Sequence, residues 1–259
     1  FYNSIPTFDP PSLEVKEVFG ELRLPILADK PLAHELTINL AGRVADYKGS
    51  TGTVFAYNGN VQYAPIPDLK LRANYSRAVR APNIADLYTP LGTNFASNFN
   101  DPCSEIFLAE GSANRVANCR ADGVPAGFDY LYESSLRFLS GGNTDLRAET
   151  SDSITIGALI TPRFLAGFTL SIDYFDIQVD DVITSPSAQQ IVDACYDVSD
   201  LDNQFCNLFT RQGAGTGPQG EITGQIIEGG AQACLLNYVR LKMRGIDVRA
   251  TDNRDIEAI

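Results

Sequence analysis

The chain has 259 residues, 44% of them hydrophobic, with 20 Lys and Arg against 32 Asp and Glu for a formal net charge of -12. That length allows one large domain or two small ones; the apolar content excludes a chain disordered by composition; and the acidic balance argues against nucleic-acid binding, which leaves a basic stripe. No window approaches the roughly 18 consecutive apolar residues of a membrane-spanning helix, which leaves membrane barrels open because their signal per strand is much weaker.

Period-two alternation, the mark of a strand, begins in SLEVKEVFGELRLPIL, with Val18, Leu22 and Leu24 on one face and Phe19, Glu21 and Arg23 on the other. HELTINLAGRVADY sets Leu36, Ile38, Leu40 and Val44 against Thr37, Asn39, Ala41 and Arg43. TVFAYNGNVQYAPI follows, strand-like with small residues, and then DLKLRANYSRA sets Leu69, Leu71, Ala73 and Tyr75 against Lys70, Arg72, Asn74 and Ser76. Pro82 ends that strand, because it cannot donate to a ladder and it restricts Ala81 before it. SDSITIGALITP sets Ile154, Ile156, Ala158 and Ile160 against Thr155, Gly157 and Leu159, and GFTLSIDYFDIQVDDVI sets Phe168, Leu170, Ile172 and Tyr174 against Thr169, Ser171 and Asp173. The final candidate, LLNYVRLKMRGIDVRATD, alternates only in its second half, and Gly245 is where a bulge fits.

Several of these runs exceed about ten residues, where a soluble strand has about five or six. Their apolar faces cover about nine to eleven residues, the length a tilted strand needs to cross a bilayer. The connections PILADKP, PIPD and TPRFLAG are short, whereas about 89–148 and 184–230 are long; KGSTG, at the long end, is short as well. Short turns at one end and long loops at the other suit a membrane barrel. Within the second loop SPSAQQIVDACYD predicts a short helix, with Ser185 as cap, Pro186 at the first helical position, and Ile191, Ala194 and Cys195 on one face.

Cys103 and Cys119 lie in the first long loop, Cys195 and Cys206 in the second, and Cys234 stands apart. Two close pairs predict local disulfides and an oxidising compartment. Zinc is the rival, but neither pair has Cys-x-x-Cys spacing and the only histidine is His34. Other motifs dissolve on inspection. Gly215 opens a formal G-x-G-x-x-G without the strand and helix a dinucleotide site needs. His34 begins HELTI, which lacks the second histidine of a zinc protease, and is expected at a turn. Asp197–Asn203 resembles a calcium loop without its glycine and distant glutamate. Nothing in the spacing of Asp173, Asp180 and Asp181 fixes an acid–base pair. The expectation is a non-enzyme with no cofactor and no metal site.

Taken in order, YSRAVRAPNIADLY, NTDLRAETSDSITIGA and FTLSIDYFDIQVDDVI resemble the C-terminal barrel region of TonB-dependent outer-membrane receptors. VKEVFGELRLPIL, INLAGRVADYKGSTG, IVDACYD with NQFCNLFTR, and NYVRLKMRGIDV extend the likeness from about Ser12 to Asp252. The resemblance implies an all-β fold: about 7 strands of a large antiparallel transmembrane barrel of about 22, with long extracellular loops bearing short helical insertions. Residues 1–259 are expected to form one partial-barrel domain without the family's plug, a mature product, fragment or internal piece that begins at Phe1 without a leader. The resemblance further implies the bacterial outer membrane and its lipid, a scarce nutrient (iron-siderophore, cobalamin or glycan) bound at the loops, and TonB reached through an absent N-terminal region. Phe95, Phe99, Tyr130 and Tyr132 are candidate ligand contacts, since aromatic rings stack on sugars and aromatic siderophores. The competing reading is a soluble secreted β-sandwich binding glycans or cell-surface proteins, with the Leu36, Ile38 and Leu40 face buried against a second sheet.

Overall fold

The computed structural model describes residues 7–130 and 135–253. In chain order the strands β1 (Val15–Lys30), β2 (Ala33–Tyr47), β3 (Gly52–Ile66) and β4 (Leu69–Arg80) precede helix α1 (Ile84–Tyr88), β5 (Gly92–Ser97), α2 (Arg115–Ala121) and β6 (Ser135–Ser140). Then come β7 (Glu149–Ile160), β8 (Phe168–Thr184), α3 (Ala188–Tyr196), β9 (Ala231–Gln232) and β10 (Leu236–Asp252). The chain divides into two compact units: one of the long strands, the other of 83–144 and 184–236 with residues 7–11.

The first unit is a seven-stranded open sheet in the order β1-β2-β3-β4-β7-β8-β10. Its register turns the sequence alternation into two chemically opposite faces, because residues directly across from one another share a side. One row runs Leu24, Ile38, Val61, Ala73, Ile156, Tyr174 across six strands. The opposite face carries Arg23, Asn39, Asn60, Asn74 and Thr155 in equally direct register. The apolar face is uncovered: Leu40 is 46% exposed, Leu71 40% and Ile156 55%. That exposure contradicts the sandwich reading, which requires a second sheet over these side chains.

Along the apolar face the chemistry changes toward the end where the long connections leave. The next row is Leu22, Leu40, Gly59, Tyr75, Ile154, Asp176, and the one after it Gly20, Gly42, Tyr57, Arg77, Asp152, Gln178. Tyr75 donates to Asp152 Oδ1 at 2.9 Å, and Arg77 grips the same carboxylate through Nε at 3.0 Å and Nη2 at 2.6 Å. The Arg77 guanidinium carbon also lies 5.9 Å from the Tyr57 ring centroid. Hydrocarbon gives way to tyrosine, and tyrosine to ion pairs.

This gradient explains why β10 loses its alternation. Arg240 and Lys242 reach Asp180 and Asp176 on the neighbouring strand, so they share that apolar face at its charged end, while Ile246 and Val248 continue it at 67% and 64% exposure. At Gly245 the governing feature is close approach, because an added Cβ would lie 2.8 Å from Phe175 Cζ. The first connection is also shorter than PILADKP suggested. A register shift between Pro25 and Leu27 lets β1 run on to Lys30, leaving a turn at Pro31 and Leu32. A bulge accommodates the missing proline N–H without ending the strand.

The second unit bears the expected short helices and adds strands that the sequence did not announce. Among the described residues it contains a three-stranded sheet, β5-β6-β9, and the α-helices α1, α2 and α3, with α2 and α3 packed into an apolar core. Leu136, Ile191, Val192, Tyr196 and Ile226 are each at most 1% exposed. Two disulfides, Cys103–Cys119 and Cys195–Cys206, lie within the same core. Closing loops of 16 and 11 residues contributes about 3 kcal/mol each in the chain-entropy model. Cys234 is buried and free.

Candidate functional site

The polar face of the sheet forms a hydrogen-bonded lining. Arg72 binds Asp173 through two contacts, Nε to Oδ1 at 2.7 Å and Nη2 to Oδ2 at 2.5 Å, and Lys70 Nζ lies 2.9 Å from Glu35. Asn58 donates to Asn74 at 2.6 Å and Asn39 to Asn60 at 3.2 Å. The lining therefore presents charge and amide groups already matched to one another. The three aspartates weighed as an acid–base set are divided among three arginines: Asp173 with Arg72, Asp180 with Arg240, Asp181 with Arg147. His34 stands beside the Pro31–Leu32 turn with Nδ1 3.2 Å from Asp29 Oδ1.

In the second unit a cleft of about 480 Å³ opens between the end of β5, the segment following it, and the first turns of α3. Local sequence dictates its walls. Ser97 ends β5, Asn98 takes a positive φ of 56°, a conformation Asn tolerates, and Phe99 then turns into the core at 4% exposure. Gln189 fastens this segment to α3 by accepting from Asn100 N–H and donating to Asn100 C=O, both at 2.9 Å. Helix α3 begins two residues later than the sequence suggested. Ser187, not Ser185, is the cap, because its hydroxyl accepts from Gln190 N–H and the Gln190 side chain returns to Ser187 N–H.

Among the described residues, Arg115 is the only cation lining the cleft. Its side chain is 6% exposed and fully engaged: Nε and Nη2 bind Asp197 at 2.8 and 2.6 Å, Nη2 also meets Asp193 at 3.1 Å, and Nη1 donates to Phe107 C=O at 3.2 Å. Arg115 holds the Asp197 carboxyl below its ordinary value, whereas burial pushes Asp193 up. A second pair locks the core beneath. Arg211, 4% exposed, binds the fully buried Asp101 through Nη1 and Nη2, both at 2.8 Å, and donates to Tyr196 Oη at 2.6 Å. Tyr196 in turn donates to Asp122.

The candidate aromatics fall in different places. Phe99 forms part of the cleft wall and of the core, Phe95 is 56% exposed on β5, and Tyr130 packs against the core. Tyr132 lies outside the described residues. The sequence reading missed Arg115 and Arg211, since an isolated arginine in a loop gives no signal of the aspartate, 82 or 110 positions away, that receives it. It also missed α1, although Asn83 and Asp86 spell the reciprocal cap that the structure forms. The Asp197–Asn203 segment serves the fold: Asp197 holds Arg115, and Asp200 accepts from Asp202 N–H at 2.9 Å. No group of three or more metal-ligating side chains converges among the described residues.

An antiparallel wall with one exposed hydrocarbon face, one polar face and large structured insertions between β4 and β7 and between β8 and β10 defines a segment of β-barrel wall. The chain belongs to the TonB dependent receptor-like β-barrel family, whose model matches residues 1–248. Receptors of this family are outer-membrane proteins of Gram-negative bacteria. Solved structures agree on the fold. The siderophore receptor PirA from Acinetobacter baumannii aligns at 15% identity and a TM-score of 0.56, covering 95% of this chain and 26% of that one. A ferric enterobactin receptor (PfeA) variant from Pseudomonas aeruginosa aligns at 15% identity and TM-score 0.55, covering 91% and 24%. Another PfeA variant, in complex with enterobactin, gives 17% identity, TM-score 0.53, and coverage of 91% and 24%. The chain thus spans about a quarter of the length of the receptors it matches. No curated protein sequence matches it.

Proposed function

We propose that this chain supplies barrel wall and extracellular ligand-facing structure to an outer-membrane receptor that imports a scarce nutrient by energy-coupled transport. Ferric siderophore is the leading cargo among siderophore, cobalamin and glycan, because the similar structures named above are siderophore receptors. The observation that carries the reading is the pairing of two opposed faces on one sheet: an exposed apolar face bordered by Tyr57, Tyr75 and ion pairs, and a polar face bonded from strand to strand. The first suits lipid up to the headgroup boundary and the second a wet lumen. The disulfide-pinned unit gives the exterior a rigid surface, and preorganisation of that kind lowers the ordering cost of capture. Coupling to TonB is assigned to the receptor's N-terminal region, and single partial-barrel organisation to this chain.

The test is uptake. A strain deleted for the gene is complemented with the complete gene and grown under iron limitation with individual radiolabelled ferric siderophores. Restored accumulation that a protonophore abolishes supports the proposal. Unchanged accumulation for every siderophore, cobalamin and oligosaccharide tried would remove it.

A further inference from the structure

The border of the sheet's apolar face identifies a neighbour, an inference that rests on the outer-membrane reading above. Past the aliphatic, glycine and aromatic side chains, that face first turns polar at Lys16 on β1, Asp46 on β2 and Thr53 on β3. On β4, β7 and β8 it does so at Arg77, Asp152 and Asp176. Directly paired residues form rows perpendicular to the strands, so upright strands would meet the border in a single row. They do not: the row through Asp176 reaches β1 at Leu22, six residues short of Lys16. Six residues span about 20 Å of strand, and the five spacings from β1 to β8 span about 24 Å. The border is therefore inclined to the rows by about 40°, the tilt of strands in a membrane barrel. On strands tilted by that angle it runs level with the membrane plane, as a single headgroup boundary does.

Beyond that boundary the outward face of β10 is basic. Arg240 pairs with Asp180, and Lys242 lies 3.7 Å from Asp176, which sets both cations on the outward face. Alternation adds Arg244, and Ile246 and Val248 follow it into the hydrocarbon belt. The Arg240 and Lys242 side chains are 69% and 51% exposed and their carboxylate partners 26% and 27%, so the acids lie against the sheet and the cations reach outward. A strand pairing with the other edge of β10 bonds in the plane of the sheet and leaves this face turned outward. Long cationic side chains beside hydrocarbon lift their heads to the headgroup layer, where guanidinium and ammonium groups bind phosphate. Side chains two residues apart on a strand stand about 7 Å apart, so neighbouring cations can hold two phosphates at once. We propose that Arg240, Lys242 and Arg244 form a site for an anionic outer-leaflet lipid with a phosphorylated headgroup, its acyl chains lying along Ile246 and Val248.

The test is a headgroup series. The complete receptor, purified in detergent, is titrated with a diphosphorylated glycolipid (lipid A), its monophosphoryl form and zwitterionic phosphatidylcholine, and bound lipid is read by native mass spectrometry. Retention should fall in that order, and inorganic phosphate should not displace the lipid A. Arg240→Gln, Lys242→Gln and Arg244→Gln should each weaken lipid A about fivefold, and the three together should erase its advantage over phosphatidylcholine. Arg163→Gln, the same loss of charge in the short connection between β7 and β8, should leave that advantage unchanged. The wild-type series needs no substitution, so it decides even where a variant fails to fold. Equal retention of the three lipids, displacement by inorganic phosphate, or an advantage that survives the triple variant would each overturn the proposal. Equal retention alongside restored siderophore uptake would discard the lipid site and keep the receptor; selective retention without uptake of any nutrient would keep the site and discard the cargo.

Discussion

Replacing Arg211 with Met tests whether the second unit is a folded structure rather than a set of loops. Arg211 and Asp101 are 4% and 0% exposed at their side chains and share two bonds of 2.8 Å. The same guanidinium donates to Gly224 C=O and Tyr196 Oη, both at 2.6 Å, and lies 5.0 Å from the Tyr196 ring centroid. Methionine keeps the apolar stem but leaves Asp101 charged and buried, with the Cys103 N–H at 3.0 Å as a surviving donor. Breaking one partner of such a pair costs about 3–5 kcal/mol. Amide exchange at buried α3 positions such as Ile191 and Cys195 reads that loss, because opening free energy sets protection. At about 1.4 kcal/mol per decade, exchange accelerates by at least about 10²-fold. Adding Asp101→Asn removes the stranded charge and recovers part of the loss. A single variant within about 1 kcal/mol of wild type would refute the reasoning, because the pair would then be solvated despite its burial.

Tyr196 should make the unit sensitive to alkali. Burial foremost, with help from Asp122 and against the pull of Arg211, raises its phenol above the ordinary value. The unfolded phenol ionises near pH 10 while the folded one stays protonated, so stability is full below about pH 10 and falls above it by about 1.4 kcal/mol per pH unit; Tyr196→Phe should flatten that slope in a denaturation series. On the acid side, Asp197 is held down by Arg115, so its contribution is present above about pH 4 and is lost as pH falls through the depressed folded value, which Asp197→Asn should abolish. Removing Cys103–Cys119 by a double Ser substitution should cost the unit about 3 kcal/mol, read as faster proteolysis; iodoacetamide labelling of Cys103 in unreduced, denatured protein would contradict the bond. Ile156→Arg should destabilise the folded receptor by about 2–4 kcal/mol, the cost of a lipid-facing arginine near the midplane, while Thr155→Arg on the polar face should cost much less in the same urea titration.

The sheet was legible because each face is read locally. Alternation within HELTINLAGRVADY already separates Ile38 from Asn39, and register preserves that separation across neighbouring strands. Where it faltered, in β10, the cause was a face that changes character with height, so that Arg240 and Leu241 exchange the usual sides. The cysteine pairs were legible because both bonds close short loops. The cleft was not. Its walls join Asn100 to Gln189 and Arg115 to Asp197, contacts 89 and 82 residues apart that no periodicity encodes. The three-stranded sheet was hidden for a similar reason: β9 has two residues and pairs in parallel with β6, far behind it in sequence.

The central claim is that one face of this sheet meets hydrocarbon and the other meets water. Nitroxide labels at Leu40, Leu71 and Ile156, and at Asn39, Arg72 and Thr155, in complete receptor reconstituted into bilayers with Cys234 replaced by Ser, measure this directly through collision with oxygen or with a water-soluble nickel complex. The first three should be open to oxygen and closed to nickel, and the second three the reverse. Nickel access at Leu40, Leu71 and Ile156 equal to that at Asn39, Arg72 and Thr155 would contradict the account.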